Sequence, residues 1–304
     1  MKKRILITGG SGLLALNWAI SLRRLFDVIL GLHSRQINLA GTKSMMINME
    51  SVDSIKKLLN EVKPDLIIHT AGLTNIEHCE SLPDLARYAN FEISANLSSA
   101  CASLGVQLVY ISTDHLFHGG ESFTDETAPV LPLNVYGRTK ARGEVCVLDI
   151  CPNALVIRTN FYCWGTSYRY SFTDLIINTL RSGKKIKLFN DIFYSPILCE
   201  ELILATHDLL NKNAAGIFNI VSDERISKYD FGLLVAQRFN LDTNLIEKGS
   251  INDEPNLVIR PRDMSLSNKK ASQLLGRKIG NVFEHLKKLK KQEDNLISQE
   301  LQTL

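Results

Sequence analysis

Apolar positions recur along this chain in two patterns. Short, mostly apolar runs stand at 4–8, 28–32, 44–47, 66–70, 107–112 and 155–158, and between them apolar residues fall at helical spacing over about 13–25, 51–62, 84–104 and 134–149. Apolar runs belong to strands covered on both faces, and the amphipathic helices between them act as right-handed crossovers that make those strands parallel. The pattern predicts an α/β fold, a Rossmann-type doubly wound parallel sheet, over about residues 1–158. Beyond residue 160 helical spacing returns near 170–182, 199–210, 229–240 and 269–276, with short strand runs at 186–189 and 216–221. Ser227-Lys228-Tyr229-Asp230 opens the third of these helices with a capping-box-like pattern.

Two stretches carry candidate chemistry. Arg4-Ile5-Leu6-Ile7-Thr8 leads directly into Gly9-Gly10-Ser11-Gly12-Leu13-Leu14-Ala15. In a strand, glycine turn and helix of this kind, Gly9 permits the tight turn and Gly12 lets the backbone approach a pyrophosphate that faces the helix N-terminus. Many glycine-rich stretches are only turns, so this one carries weight only in company. The second stretch is Asn134-Val135-Tyr136-Gly137-Arg138-Thr139-Lys140, read with Ser112-Thr113-Asp114 at the end of the fifth apolar run. Residues four apart share a helix face, so the Tyr136 hydroxyl and the Lys140 ammonium can converge on one small molecule. A cation so placed favours the phenolate and is expected to lower Tyr136 from its usual pKa of about 10. Thr113 offers a hydroxyl to hold a carbonyl while Tyr136 protonates it. With eight tyrosines in the chain, a Tyr-x-x-x-Lys spacing also arises by chance.

Composition narrows the field. A net charge of +3 with 22% charged residues gives no global basic field, so nucleic acid is not implied. Lys287, Lys288, Lys290 and Lys291 fit the solvated face of a terminal helix. The charged start Met1-Lys2-Lys3-Arg4 is followed by an apolar run that stops at Gly9, too short for a signal peptide, and no run approaches the roughly 18 residues of a membrane span. A cytoplasmic protein with reduced thiols at 79, 101, 146, 151, 163 and 199 is expected, because no Cys-x-x-Cys pair occurs. His115 and His118 have no companion ligands, so no metal is expected.

Taken in order, residues 7–15 (ITGGSGLLA), 69–80 (HTAGLTNIEHCE), 112–119 (STDHLFHG), 136–144 (YGRTKARGE), 156–165 (VIRTNFYCWG) and 260–276 (RPRDMSLSNKKASQLLG) resemble the extended short-chain dehydrogenase/reductase superfamily. Within it they resemble most the dTDP-4-dehydrorhamnose reductase branch. The resemblance covers about residues 4–290. It implies an NADP-binding Rossmann domain at 1–158, joined by returning segments from about 190–220, and a smaller, mainly C-terminal α/β substrate domain at 159–304. It implies reduction of a keto group on a nucleotide-linked deoxysugar, with Thr113, Tyr136 and Lys140 catalytic. An epimerase or dehydratase, or a non-catalytic regulatory subunit like that of methionine adenosyltransferase, stands as the alternative. Dehydratases of the superfamily carry Asp-Glu where this chain has Asp114-His115.

The resemblance also assigns positions around the cofactor. Ser34 and Arg35, after the second strand, stand where an acidic residue would mark NAD, so they point to the 2′-phosphate of NADP, with NAD still possible. Asn48 and Met49 stand where the branch has an Asp and an apolar residue over the adenine. Thr70, Ala71 and Gly72 let the backbone lie against the cofactor, together with Gly9, Ser11, Gly12, Leu13, Leu14, Tyr136 and Lys140. Arg35 also reads, less well, as a solvated loop arginine, and 70–72 nearly as well as small residues for helix packing. Ala15 replaces a third glycine, and His118 replaces a common Asp. Arg158, Trp164, Arg260 and Arg262 are candidates for the substrate side, because guanidinium forks suit diphosphates and an indole can pack on a base, though each also suits a structural role. A nucleotide-sugar substrate and a homodimer are compatible with the branch; a nucleic-acid or membrane partner is not expected.

Overall fold

The computed structural model describes residues 2–304; Met1, the first residue of the charged start, lies outside them. Seven strands, β1 (Arg4–Thr8), β2 (Asp27–Leu32), β3 (Lys43–Met46), β4 (Leu66–His69), β5 (Gln107–Ile111), β6 (Leu155–Arg158) and β7 (Gly216–Asn219), form one parallel sheet in the order β7-β6-β5-β4-β1-β2-β3. Strand order reverses between β1 and β4, and such a switch point opens a crevice at the carboxyl ends of the strands.

Side chains alternate across each strand, so one sheet feeds two cores. Ile5, Ile7, Leu30, Ile68 and Val109 face a layer containing Trp18 of helix α1 (Leu13–Leu22) together with Leu202 and Leu209. Leu6, Ile67, Leu108 and Val156 face the other side, where helices α2 (Val52–Val62), α3 (Ile93–Leu104) and α4 (Val135–Ile150) close the layer through Ile55, Leu97 and Val147. Helix α5 (Cys199–Asn211) packs on α1, so the later part of the chain covers the first core.

The helical spacing over 84–104 predicts one helix, and the structure breaks it. A short helix Pro83–Arg87 runs through a π-helical turn, Tyr88–Glu92, into α3. The turn holds a buried polar side chain. Asn90 is fully buried, and its amide hydrogen-bonds both the N–H and the carbonyl of Leu73 (2.8 and 3.0 Å) as well as the Thr139 hydroxyl (3.0 Å). Satisfying three buried groups fixes this side chain against a neighbouring loop, a kind of demand often seen where π-bulges occur at functional sites.

Beyond β6 the chain builds smaller pieces. Phe193–Tyr194 pairs antiparallel with Ile226–Ser227 and parallel with Asp263–Met264, while Ile186–Phe189 pairs with Ile246–Gly249. Helix α6 (Lys228–Arg238) starts directly from the first of these small sheets, capped by the Ser227 hydroxyl, which accepts from the Asp230 N–H at 3.0 Å. No helix of the described residues is long and apolar enough to cross a membrane.

Candidate active site

The glycine turn is shaped by a near-collision of two backbones. Gly9 has φ +68°, and a Cβ there would sit 2.9 Å from the Ala71 backbone. Only glycine allows β1 and β4 to end so close together. Gly12 then caps α1 with no side-chain cap and no acid in the first turn. The helix N-terminus is left with free N–H groups and positive potential, a site for an anion. Gly12, Leu13 and Leu14 line one wall of a cleft whose other wall carries Thr70, Ala71 and Gly72. The Ser11 carbonyl accepts from the Tyr168 hydroxyl at 2.8 Å, and the Arg35 guanidinium lies 3.9 Å from the centre of the Tyr168 ring. Arg35 and Ser34 are exposed at the tip of β2. Asn48 is also exposed, with its Oδ1 accepting from the Glu50 N–H at 2.8 Å, and Met49 packs partly into the second core.

The floor of the same cleft holds the proposed chemistry, with Ile111, Ser112, Tyr136 and Lys140 among its lining. Asn134 caps α4 by accepting from the Gly137 N–H at 2.9 Å, which places Tyr136 in the first turn and Lys140 one turn on. The Lys140 ammonium donates to the Ile111 carbonyl at 2.7 Å and stands 4.1 Å from the centre of the Tyr110 ring. Burial, opposed by Glu144, lowers its pKa to about 7. Tyr136 moves opposite to the sequence expectation. Burial raises its hydroxyl above the usual phenol range, the Thr113 hydroxyl beside it opposes, and Asp114 and Cys79 push it further up. Desolvation dominates, and Tyr136 keeps its proton. Thr113 is buried, donates to Asp114 Oδ1 at 3.2 Å and accepts from the His115 N–H.

Two of the substrate-side candidates are corrected. Arg158 forms a forked ion pair with Glu144 at 2.8 and 3.0 Å, both side chains being 2–3% exposed. Its charge is spent inside the protein, between β6 and α4. Trp164 is also interior: its indole N–H donates to the Leu289 carbonyl at 3.1 Å, and its ring meets Phe239 edge-on. Arg260 is half-buried, paired with Glu77 and donating to the Val258 carbonyl. Arg262 is exposed and bonded to Asn252 at 2.5 Å.

The structure adds positions that motif reading passes over. Asn90, Phe161 and Arg169 line the cleft, as does Thr74, which already belongs to the 69–80 stretch that carries the family resemblance. Asp114, Asn160 and Lys228 form a polar group beside Thr113, with Asn160 donating to Asp114 Oδ2 at 2.5 Å. Asn90 carries no local signal because its place depends on the π-helical turn, and Lys228 lies 115 positions after Thr113, delivered by a small-sheet pairing.

A model of the RmlD substrate binding domain matches residues 2–294 of the chain. The chain belongs to this family. Among its relatives, a probable low-salt glycan biosynthesis reductase of Haloferax volcanii is 28% identical over 84% of this chain and 87% of its own length. The dTDP-4-dehydrorhamnose reductase of Salmonella typhimurium is 28% identical over 71% of this chain and 75% of its own, and methionine adenosyltransferase 2 subunit beta of Rattus norvegicus is 28% identical over 90% and 82%. The structure of dTDP-4-dehydrorhamnose reductase from Bacillus anthracis in complex with NADP superposes with a TM-score of 0.85 at 23% identity, covering 96% of this chain and all of that one. A hypothetical dTDP-4-dehydrorhamnose reductase from Sulfolobus tokodaii gives 0.79 at 28% identity, covering 91% and 97%. The Rossmann-type sheet read from the sequence is therefore the fold of the RmlD family.

Proposed function

We propose that the chain is an NADPH-dependent reductase of the short-chain dehydrogenase/reductase type, acting on a keto group of a nucleotide-linked deoxysugar, most simply dTDP-4-dehydrorhamnose. One observation carries the reading: the Gly12 end of the glycine turn and the Tyr136 and Lys140 side chains line a single cleft at the switch point of the sheet, with Thr113 buried next to the cleft residue Ser112. The names of the Haloferax and Salmonella relatives support it.

The residues present fit a dinucleotide. The uncapped start of α1 suits the pyrophosphate, the backbone beside Gly9 leaves no room for a side chain, and the buried Ser112 hydroxyl has no protein partner where the cleft floor would meet a ligand. Arg35 at the tip of β2, stacked on Tyr168, supports a 2′-phosphate. When bound, the nicotinamide supplies a hydride to the carbonyl carbon. Thr113 orients the carbonyl by hydrogen bond, and Tyr136 gives its proton to the oxygen, which becomes the alcohol. Lys140, held by Ile111, steadies the resulting phenolate. On this reading residues 1–158 with β7 hold the cofactor, and most of 159–304 serves the sugar.

Purified protein given NADPH or NADH and a panel of 4-keto nucleotide sugars, followed by absorbance, tests the reading. Stoichiometric loss of NADPH with alcohol formation is expected. Interconversion of sugars without net NADPH loss would mean an epimerase. The Rattus relative covers more of this chain than the Salmonella reductase does, so the regulatory reading has its own outcome: no turnover of any sugar, with stable binding to a methionine adenosyltransferase catalytic subunit.

A further inference from the structure

We propose that Arg169, a residue from beyond β6, supplies the cation that holds the pyrophosphate of the dinucleotide against the start of α1. The assignment rests on the dinucleotide part of the reading above and does not depend on which sugar is reduced.

Charge in the cleft is one-sided. Its lining contains two cations, Lys140 and Arg169, and no carboxylate. Lys140 is already engaged, since its buried ammonium donates to the Ile111 carbonyl at 2.7 Å. Arg169 is exposed, and among the described residues its hydrogen bonds are those of its backbone, with no ion pair to its guanidinium. The same lining includes Gly12, Leu13 and Leu14 at the start of α1, where there is neither a side-chain cap nor an acid in the first turn.

The local chain fixes where Arg169 stands. The Thr166 N–H donates to the Arg169 carbonyl at 2.9 Å, and the Arg169 N–H donates to the Thr166 hydroxyl at 3.1 Å, which closes a tight turn. A Cβ on Gly165 would lie 2.5 Å from the Arg169 carbonyl oxygen, so only glycine lets the chain fold back this closely. Beside Arg169, the Tyr168 hydroxyl donates at 2.8 Å to the carbonyl of Ser11, the residue before Gly12. The turn is thereby tied to the glycine turn, and Phe161, earlier in the same segment, lines the cleft as well.

These two positive groups select their ligand. A helix N-terminus offers N–H groups to an anion, and a guanidinium fork offers paired donors to phosphate oxygens. A pyrophosphate carries free oxygens on both phosphorus atoms, so one anion can satisfy both. The 2′-phosphate has a separate cation in Arg35, which stacks on the Tyr168 ring from the tip of β2. Because the pyrophosphate is common to NADP and NAD, loss of Arg169 should weaken both cofactors alike, unlike loss of Arg35.

The test titrates NADPH and NADH, with no sugar present, into the full chain and into Arg169→Gln. Both dinucleotides should bind the variant about 10- to 100-fold more weakly, the scale of a charge-assisted fork, and the two factors should agree within about threefold. Arg169→Lys keeps the charge without the fork and should fall between. Added salt should weaken binding to the wild type more steeply than to Arg169→Gln. The side chain is exposed, so the melting temperature should move by no more than ~2 °C. Unchanged affinity of Arg169→Gln for both dinucleotides overturns the assignment. A loss confined to NADPH, which would move Arg169 to the 2′-phosphate, overturns it too, as does a loss confined to binding of a dTDP-sugar by the NADP-loaded protein. A wild type that binds neither dinucleotide overturns the cofactor reading together with this assignment, whereas binding of both with no sugar turned over removes the reductase reading alone.

Discussion

Lys140 donates its ammonium to the carbonyl of Ile111 at 2.7 Å, and Ile111 is the last residue of β5, two positions before Thr113. One bond therefore joins the helix of Tyr136 to the strand that leads into Thr113. Because both ends are buried, the bond is sheltered from water and sets the spacing of the site. The same burial raises Tyr136 and lowers Lys140 to about 7.

Tyr136→Phe removes the proton donor and keeps the ring packed against Cys79 and Ala86. The rate of keto-sugar reduction should fall at least ~100-fold, the usual scale of general acid catalysis, with NADPH affinity within a few-fold of wild type. Steady-state rates together with a fluorescence titration of NADPH check both halves, and a variant that keeps most of its rate removes Tyr136 from the acid role.

Arg35→Asp places a carboxylate where the cleft would meet a 2′-phosphate, and it also breaks the stack on Tyr168. Affinity for NADPH should drop by at least ~10-fold more than affinity for NADH. Parallel titrations with the two cofactors decide it, and equal losses would assign Arg35 to the Tyr168 contact alone.

Glu144→Gln leaves the Arg158 guanidinium buried without its counter-charge. Breaking one side of such a pair costs about 3–5 kcal/mol, so urea unfolding should shift strongly toward lower denaturant. Replacing both residues by apolar ones of similar size should recover most of the loss, since the pair's own desolvation cost disappears with it. A single variant as stable as wild type would show that Arg158 finds another partner.

His69 is buried between the Thr8 and Ser94 hydroxyls at 2.7 and 3.0 Å, and burial, with Lys140 nearby, lowers its pKa from 6.5 to about 3. An unfolded chain protonates this imidazole below pH 6.5, whereas the folded chain resists until about pH 3. Its contribution is therefore complete above pH 6.5 and is lost as pH falls, by about 1.4 kcal/mol per unit. Between pH 6.5 and 5, His69→Gln should flatten the fall in unfolding free energy by roughly 2 kcal/mol. An unchanged slope would place the acid sensitivity at His207, His115 or His285, which burial also lowers.

Much of this molecule was legible because its signals are local. The apolar runs named six of the seven sheet strands to within a residue or two, and the run at 216–221 supplied β7. A strand with no polar alternation can be stable only when covered on both faces, so period alone implies the doubly wound sheet. The glycine turn and the Tyr136 and Lys140 spacing were equally local, since a turn conformation and a helix face are set by a few consecutive residues.

Burial and long-range pairing were decided only by the tertiary structure. Arg158 and Trp164 read as ligand residues because their chemistry suits ligands; Glu144 and the Leu289 carbonyl, which claim them, stand 14 and 125 positions away. The direction of the Tyr136 shift depended on how completely water is removed around it, which no spacing encodes. Asn90 entered the cleft through a π-helical turn, and Lys228 reached the Tyr194 and Phe172 rings through a two-residue strand pairing. By itself the sequence determined the sheet, the glycine turn and the helix face shared by Tyr136 and Lys140, because these follow from neighbours in the chain; which charges stay unpaired was left to contacts that only the folded chain creates.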